Sequence, residues 1–424
     1  MNAIVWTVMV GLLIIGLPIG YALMCLSIVL LTASGASTPF AIAQKTVTSL
    51  HSFTMLAIPF FMLAGEAMAV TNVSKKLFNF AGSLVRHLPG GLAHVNILCS
   101  VFLAGTSGSA VADITGVGRL EIDAQEAAGM DRKFAAATTC ASACIAPIIP
   151  PSMSMVIYAS ISGVSIGKML LGGYGPGIVV ALCMMVYAYF YSKKHNYPIE
   201  PRVTFGELVK TFVEAIPALL LAVIIMGGIL FGLFSATEAA AVGAAYAIFL
   251  GLVFYRNMGF KDLMEILGNT GILAATTMCI MYGSSVFGLV LTTNHIPQML
   301  CDFFIGLSDQ RWVILIAVNI ALLLLGCLMD CTPILIILSG TLALLAQQIG
   351  MDPVQFGVMV VLNVTIGLAT PPVGMALFVT QKVAGISTKD MFTSILPYVA
   401  MMLVALMLVT FVPWITLAIP NLMG

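Results

Sequence analysis

Two short glycine-containing segments carry most of the side chains in this sequence that could do chemistry. The first, residues 105–109, reads Gly-Thr-Ser-Gly-Ser, and the second, residues 326–330, reads Gly-Cys-Leu-Met-Asp. Hydroxyl and carbonyl oxygens are hard ligands that suit small hard cations, and glycine lets the backbone approach a ligand closely. A helix N-terminus at such a segment also presents N–H groups that favour an anion. These residue types therefore indicate binding of a cation, such as sodium, together with an anionic solute.

Two proline pairs, at residues 150–151 and 371–372, interrupt apolar segments and add backbone carbonyls to this set. Proline removes a backbone donor and blocks continuation of a helix, so carbonyls near the middle of a span are freed. A single proline kink usually only bends a membrane helix, which is the alternative interpretation. Two matched kinks beside two glycine segments favour a binding site. Ser152 and Ser154, which follow the first pair, are predicted to face the same cavity.

The acidic residues near these segments need either a partner or a function. Asp330 is the acid of the second glycine segment. Because an ionisable group at membrane depth costs several kcal/mol unless it is paired or functional, a functional role is favoured over helix capping. Asp113, shortly after the first segment, is expected to cap or orient it, or to contact the solute. Glu66 and Glu238 lie in apolar segments, where packing and function are equally open interpretations.

The composition places most of the chain in a membrane. The 424 residues are 60% hydrophobic and 8% charged, which does not suit a soluble domain of this size. The 17 basic and 17 acidic residues balance, which argues against a nucleic-acid partner or a polybasic lipid anchor. Nine cysteines show neither CxxC nor Cys/His spacing, so neither a metal site nor a disulfide framework is indicated. The apolar opening lacks a basic n-region and is interpreted as retained membrane structure, not a signal peptide.

Membrane spans need about 20 apolar residues in a helix, and eight segments qualify. They are residues 54–71, 134–163, 169–191, 212–233, 236–254, 272–292, 354–384 and 391–416. The opening stretch, residues 3–33, is broken by a Gly-Leu-Pro-Ile-Gly sequence and forms one tilted span or two short ones, so the total is nine or ten. Four further segments of mixed polarity are predicted to be interfacial helices, at residues 37–50, 74–87, 258–270 and 296–306.

Residues 91–125 and 312–347 are predicted to be re-entrant hairpins, because each consists of two short apolar runs that meet at a glycine segment. With this threading, 14 of the 17 Lys and Arg residues lie on one side, which is therefore predicted to be cytoplasmic. The other side receives Lys45, Lys168 and Arg311. The first hairpin then enters from the cytoplasm, the second enters from the periplasm, and the C-terminus is periplasmic.

A shift of 221 positions superposes the two halves of the sequence without a gap. It aligns the two glycine segments, the two proline pairs, and Lys168 with Lys389. An odd number of spans separates each segment from its counterpart, so the two copies are predicted to have opposite orientations in the membrane, as in secondary transporters. The predicted fold is an all-α polytopic membrane protein, with a first repeat at 1–191, a cytoplasmic linker at 192–211 and a second repeat at 212–424. Each repeat contains one re-entrant hairpin and one broken helix.

Five motifs spread along the chain resemble the large membrane (M) subunit of TRAP transporters, the tripartite ATP-independent periplasmic transporters. They lie at residues 58–66 (Ile-Pro-Phe-Phe-Met-Leu-Ala-Gly-Glu), 107–110 (Ser-Gly-Ser-Ala), 146–152 (Ala-Pro-Ile-Ile-Pro-Pro-Ser), 236–239 (Ala-Thr-Glu-Ala) and 367–374 (Gly-Leu-Ala-Thr-Pro-Pro-Val-Gly). The resemblance implies an elevator mechanism of the ion transporter-like kind, in which a domain holding both hairpins slides against a scaffold. It also implies sodium coupling, a small four-helix membrane subunit, and a periplasmic substrate-binding protein that delivers an organic acid at the bacterial inner membrane.

By the same resemblance, at least two sodium sites and a substrate site fall on the segments described above. The first sodium site would lie at Thr106, Ser107 and Ser109. The second would lie at Gly326, Cys327, Gly367 and Thr370. Because the second segment lacks hydroxyls at its centre, backbone carbonyls would have to bind this ion. The substrate would lie between Ser109, Ser154 and Asp330, close to Ser152.

Three functional hypotheses from different classes follow. The leading one is a TRAP permease that imports sialic acid, another sugar acid or a C4-dicarboxylate with sodium. The alternative is a stand-alone sodium/dicarboxylate symporter that needs no binding protein. An intramembrane hydrolase is disfavoured, because no span carries a paired nucleophile and base or an HExxH motif. The chain is therefore predicted not to be an enzyme.

Overall fold

The computed structural model describes residues 19–35, 37–51, 53–71 and 73–423, and every element within them is helical. Residues 1–18, which include the first part of the predicted opening stretch 3–33, lie outside this part of the chain. The first four helices are α1 (Ile19–Ala33), α2 (Pro39–Leu50), α3 (Ala57–Val70) and α4 (Val73–Val85). α3 and α4 form a pair bent by 78°. The span and the two interfacial helices predicted in this region are therefore present as helices.

The first predicted hairpin consists of helical segments that are interrupted at Gly108. Its elements are α5 (Gly91–Ser107), α6 (Ala110–Asp113), a π-helical turn (Ile114–Gly118) and α7 (Arg119–Ala127). Gly108 ends α5 with a φ of +59°, a left-handed conformation that side chains with a Cβ rarely adopt. The broken helix follows as α8 (Arg132–Ala143) and α9 (Met153–Ser162). The proline pair lies in the connection between them, as the sequence predicted.

The middle of the chain forms longer helices. They are α10 (Ile166–Gly172), α11 (Tyr174–Lys194), α12 (Phe205–Leu230), α13 (Ala236–Phe249, extended by a π-helical turn at Leu250–Phe254), α14 (Phe260–Thr293) and α15 (Ile296–Gly306). The separate interfacial helix predicted at 258–270 is wrong, because those residues continue into the next span as the 34-residue helix α14. No proline interrupts α14. The helical ends of α11 and α12 also restrict the non-helical part of the predicted linker to residues 195–204.

The second half repeats the pattern of hairpin and broken helix. Its elements are α16 (Arg311–Leu328), α17 (Cys331–Gln348), α18 (Pro353–Leu368), α19 (Met375–Ala384), α20 (Thr388–Phe411), α21 (Pro413–Leu417) and a final 3-10 turn (Pro420–Met423). Within the described residues, seven helices are long and apolar enough to cross a membrane, and α16 and α17 are two of them. The all-helical, multi-pass architecture is thereby confirmed, whereas the re-entrance of the hairpins stays a prediction.

Helix caps recur at the 221-residue spacing found in the sequence. α8 begins at the cap Asp131 and α18 begins at the cap Asp352, and each aspartate accepts hydrogen bonds from backbone N–H groups of the first turn. Likewise, Ser109 caps α6 and Asp330 caps α17. Because capping side chains fix where a helix starts, matched caps give the two halves matched helix boundaries.

The first arms of the two broken helices form the centre of the molecule. In α8 every residue from Phe134 to Ala143 is buried, and in α18 every residue from Val354 to Leu368 is buried. A helix buried on all sides must be enclosed by other helices. The interrupted helices therefore lie inside the protein, where freed backbone groups can be satisfied by neighbouring chain.

Buried amides join each hairpin to the broken helix beside it. Asn96 of α5 donates to Thr139 at 2.7 Å and accepts from Ser142 at 2.6 Å. In the second half, Asn363 of α18 donates to the side chain of Asn319 at 2.6 Å and to its backbone carbonyl at 2.9 Å. Neither asparagine was predicted from the sequence, although an amide inside an apolar span is a signal for a hydrogen bond between helices.

The second hairpin touches α18 through glycine backbone. A Cβ added at Gly367 would lie 2.5 Å from the Cα of Gly326, and a Cβ at Gly326 would lie 2.8 Å from the carbonyl oxygen of Val364. Glycine is required at both positions, because any larger side chain would push the hairpin off the broken helix.

We expect Gly367→Ala to destabilise the protein by about 1–3 kcal/mol through this overpacking. Thermal unfolding of the detergent-purified protein measures the effect. The matched control is Gly227→Ala in α12, where an added Cβ meets no atom within 4 Å. The control should melt at or slightly above the parent temperature, because alanine favours a helix. If the Gly367→Ala and Gly227→Ala variants unfolded at the same temperature, the close contact at Gly367 would be contradicted.

Candidate functional site

The end of the second hairpin lies against the interruption between α18 and α19. The backbone N–H of Gly374, just beyond the proline pair, donates to the carbonyl of Cys327 at 3.0 Å. Thr370 donates its hydroxyl hydrogen to the carbonyl of Ile366 at 2.8 Å, which leaves its oxygen able to accept a donor or a cation. The structure thus brings together all the residues predicted for the second sodium site, namely Gly326, Cys327, Gly367 and Thr370.

The end of the first hairpin lies against the first proline pair in the same way. A Cβ added at Gly108 would lie 3.0 Å from the carbonyl oxygen of Pro151. Ser109 follows directly and accepts from the N–H of Ala112 at 3.5 Å. Thr106 and Ser107 belong to the last turn of α5, but their side chains lie outside the described part of the structure. The first sodium site therefore stays a prediction in its side-chain geometry.

The two halves cross over at these interruptions. α9, the second arm of the first broken helix, packs against α17 of the second hairpin. At this contact the thiol of Cys331 donates to the hydroxyl of Ser154 at 3.6 Å, and Ser154 is buried. Reciprocally, α19 packs against α6 and the π-helical turn of the first hairpin. Four interrupted elements therefore meet in one region, and Ser154 lies beside the residue that follows Asp330.

Asp330 lies at the crossing region, directly before the first residue of α17. It is half-buried, and its carboxylate accepts from the backbone N–H of Thr332 at 3.4 Å as the cap of α17. Capping, which the sequence analysis treated as the lesser alternative, is thus present in the structure. One carboxylate oxygen can cap the helix while the other binds a ligand, because a carboxylate has about four acceptor positions.

Ser152 caps α9, and its predicted contact with the substrate stays a prediction. It is completely buried, its hydroxyl donates to the carbonyl of Pro147, and its oxygen accepts from the N–H of Met155 at 3.2 Å. The hydroxyl is therefore engaged on both sides as the cap of α9. The proline pair predicted that Ser152 would lie near the substrate region. The sequence alone could not show whether its hydroxyl caps a helix or binds a ligand.

The structure shows the surroundings of the three acids that the sequence left open. Glu238 completes a capping box, because its carboxylate accepts from both the backbone N–H and the hydroxyl of Ser235 at 2.8 Å. This structural role accounts for its position at the start of α13. Asp113 is buried at the end of α6, near the first hairpin's reversal, and Glu66 is half-buried in α3.

The oxygen atoms of this region belong to backbone carbonyls, hydroxyls and the Asp330 carboxylate. Within the described residues, no three His, Cys, Asp or Glu side chains come together as they would around a transition metal. Oxygen ligands of this kind are those that hard cations prefer.

Charged side chains connect the ends of these helices that lie away from the crossing region. Arg132, at the start of α8, donates to the carbonyl of Ala384 at 2.6 Å and pairs with Asp123 at 3.1 Å. The adjacent Lys133 pairs with Asp390 of α20 at 2.8 Å. These contacts link the first hairpin, both broken helices and α20, so the interrupted elements are held as one unit.

Comparison with known proteins identifies relatives over almost the whole chain. Residues 6–415 match the family described as the tripartite ATP-independent periplasmic transporter, DctM component. The chain is 40% identical over 412 residues to the sialic acid TRAP transporter large permease protein SiaM of Vibrio cholerae, covering 97% of this chain and 96% of that protein. It is 37% identical over 399 residues to the C4-dicarboxylate TRAP transporter large permease protein DctM of Pseudomonas aeruginosa, covering 92% and 93%.

A third relative and a solved structure complete the comparison. The 2,3-diketo-L-gulonate TRAP transporter large permease protein YiaN of Escherichia coli is 36% identical over 405 residues, covering 96% of this chain and 95% of that protein. The crystal structure of the Alcanivorax borkumensis YdaH transporter has a TM-score of 0.61 at 15% identity and covers 89% of this chain and 88% of that one, which shows a shared fold. The helical membrane fold, the family match and the near-complete coverage lead to one conclusion: this chain is a multi-pass membrane protein of the DctM family, the large permease subunits of TRAP transporters, and is not an enzyme.

Proposed function

We propose that this permease imports a carboxylate-bearing organic acid by sodium symport. The observation that carries the proposal is the meeting of two hairpin ends with two proline-interrupted helices in one region. Such interruptions, in corresponding halves of a chain, are where secondary transporters place their binding sites. The relatives are named for sialic acid, C4-dicarboxylates and 2,3-diketo-L-gulonate, all of which are organic acids. Sialic acid is the leading substrate, because its transporter is the relative with 40% identity.

The oxygen-rich hairpin ends support coupling to at least two sodium ions. The contact between Gly326 and Gly367 brings two interrupted backbones within van der Waals distance. Carbonyls released at such a contact, together with the Thr370 hydroxyl, form a neutral ligand set. A neutral set binds a monovalent cation without burying an uncompensated negative charge. The first ion would use Thr106, Ser107 and Ser109 in the corresponding position.

The N-termini of the second arms support binding of the carboxylate. α17 is an 18-residue helix whose first N–H groups point to the crossing region, and its dipole favours an anion there. Ser154 and Ser109 provide hydroxyls on two sides of the same region. Asp330 would accept hydrogen bonds from hydroxyl groups of a sugar acid and hold a nearby cation. The solute carboxylate, in this scheme, binds backbone N–H groups and needs no buried arginine.

The family description as tripartite supports two protein partners. We propose a small four-helix membrane subunit and a periplasmic substrate-binding protein, with the permease in the bacterial inner membrane and its C-terminus in the periplasm. The hairpins and broken helices would move as one elevator unit against the remaining helices, which form the scaffold. The stand-alone symporter is not favoured, because the relatives named above are TRAP permeases.

Reconstituted transport tests this proposal. Proteoliposomes containing the permease and its small subunit should take up radiolabelled sialic acid when the binding protein is outside and a sodium gradient points inward. Without the gradient, uptake should fall by about tenfold or more, because the driving ion is lost. A succinate arm tests the C4-dicarboxylate class under the same conditions. Potassium in place of sodium is the ionic control. Undiminished uptake in potassium would refute sodium coupling, and uptake without the binding protein would favour the stand-alone symporter.

Asp330 provides a second test, because asparagine keeps its cap and removes its charge. We expect the free energy of unfolding of Asp330→Asn to lie within about 0.5 kcal/mol of the parent value, since Asn and Asp cap helices equally well. Uptake should nevertheless fall by about tenfold or more, because the carboxylate is proposed to contact solute and cation. Asp352→Asn, the equivalent change at the cap of α18, is the matched control and should transport normally. Normal uptake by the Asp330 variant would show that this residue is a cap alone.

A further inference from the structure

A cavity lies away from the crossing region, between α14 and the second arms α9 and α17. Its volume is about 540 Å³. α14 contributes positions between Met281 and Thr292, α17 contributes positions between Ile336 and Leu344, and α9 contributes Ser160 and Ile161. This volume is within the range of small-molecule sites and accommodates a sugar acid.

The cavity is lined by one lysine, several serine and threonine residues, and apolar side chains. Among the described residues that form it, Lys45 of α2 is the one charged side chain. Hydroxyls line it from three helices, at Ser160, Ser284, Ser285, Thr292 and Thr341. One ammonium and several hydroxyls, without a carboxylate, match a small hydroxylated organic anion.

The position of the cavity relates it to the path of the solute. Ser160 lies six residues beyond Ser154 on the same helix, which is about 9 Å along the axis. In the predicted topology these second halves of α9, α14 and α17 lead from the crossing region to the periplasmic side. Lys45, at the cavity, is one of the few basic residues assigned to that side and is exposed. Its charge is therefore available to attract an anion arriving from the periplasm.

We propose that this cavity is a vestibular binding site, which holds the carboxylate-bearing solute on the periplasmic side before it reaches the crossing region. The inference rests on the proposed import function and adds a second site to it. The Lys45 ammonium pairs with the solute carboxylate, and hydroxyls of α14 and α17, such as those of Ser285 and Thr341, bind the remaining polar groups. Because α9 and α17 belong to the proposed moving unit while α14 belongs to the scaffold, the site lies at their boundary.

Two glycines allow the cavity to be filled without disturbing the fold. A Cβ added at Gly288 or at Gly340 meets no atom within 4 Å, so the space beyond each is open. Gly288→Leu should therefore place its side chain in the cavity. Gly271→Leu lies on the same helix, also meets no atom within 4 Å, and is not part of the lining. It is the matched control for helix propensity and added bulk.

The experiment measures occupancy directly, by labelling a Ser285→Cys variant with a charged, membrane-impermeant methanethiosulfonate added from the periplasmic side. Sialic acid, or succinate in a parallel arm, should slow labelling by about threefold or more. Adding Lys45→Met or Gly288→Leu should abolish this protection and raise the KM for uptake by about threefold to tenfold. Gly271→Leu, and Arg311→Gln as a matched loss of periplasmic charge, should leave both values unchanged.

The outcomes separate this site from the import function. Normal sodium-driven uptake with no protection of the Ser285→Cys thiol by either acid would overturn the vestibular site and leave the import proposal intact. Protection without uptake would support the site and refute the import proposal. Lipid phosphate shares the oxyanion chemistry, so labelling is repeated in phosphatidylcholine vesicles with and without phosphatidylglycerol. Protection that follows the anionic lipid and ignores the acids would overturn the assignment to a solute.

Discussion

Backbone groups released by an interrupted helix must find partners inside the protein, because the membrane interior offers no water to bind them. Both interruptions satisfy this constraint by contact with a hairpin or with a neighbouring side chain. The Gly374 N–H donates to Cys327, and the Ser152 hydroxyl donates to the Pro147 carbonyl. The hairpins approach closely because glycine occupies the facing positions 108, 326 and 367. The requirement to satisfy the broken backbone therefore fixes where the hairpins lie, and their position in turn creates the candidate site.

Buried helices, amides and charged side chains hold the interruptions in place. The first arms α8 and α18 are buried on every side, and amides such as Asn96 and Asn363 fix them to the hairpins. Charged contacts of Arg132 and Lys133 fasten the opposite end. The Ser152 side chain sets the start of the second arm α9, and α19 begins directly after Gly374. These contacts form a frame that surrounds the candidate site, where we propose that a cation and an acid bind.

The sequence predicted the architecture better than the roles of single residues. Hydrophobic length and proline pairs located both broken helices, and the glycine segments located the interruptions at Gly108 and after Leu328, since each of these signals is local. The extension of α14 was missed because its first turns are polar enough to resemble an interfacial helix, yet nothing in them ends a helix. Ser152 and Glu238 were ambiguous for another reason: a cap and a ligand use the same oxygen atoms, and only the position of the neighbouring N–H groups distinguishes them. The contact between Ser154 and Cys331 joins residues 177 positions apart, and no local pattern encodes it.

The meeting of the two halves at the interruptions is tested most directly by a disulfide between them. A Ser154→Cys variant places a thiol where the serine oxygen lies 3.6 Å from the sulfur of Cys331. With a protease site introduced in the connection at residues 195–204, mild oxidation should keep the two fragments together on a non-reducing gel, and a reductant should separate them. A Ser160→Cys variant on the same helix, which lacks this contact, should not crosslink to Cys331. Failure of the Ser154→Cys variant to crosslink in the folded protein would contradict the crossing of the halves on which the site depends.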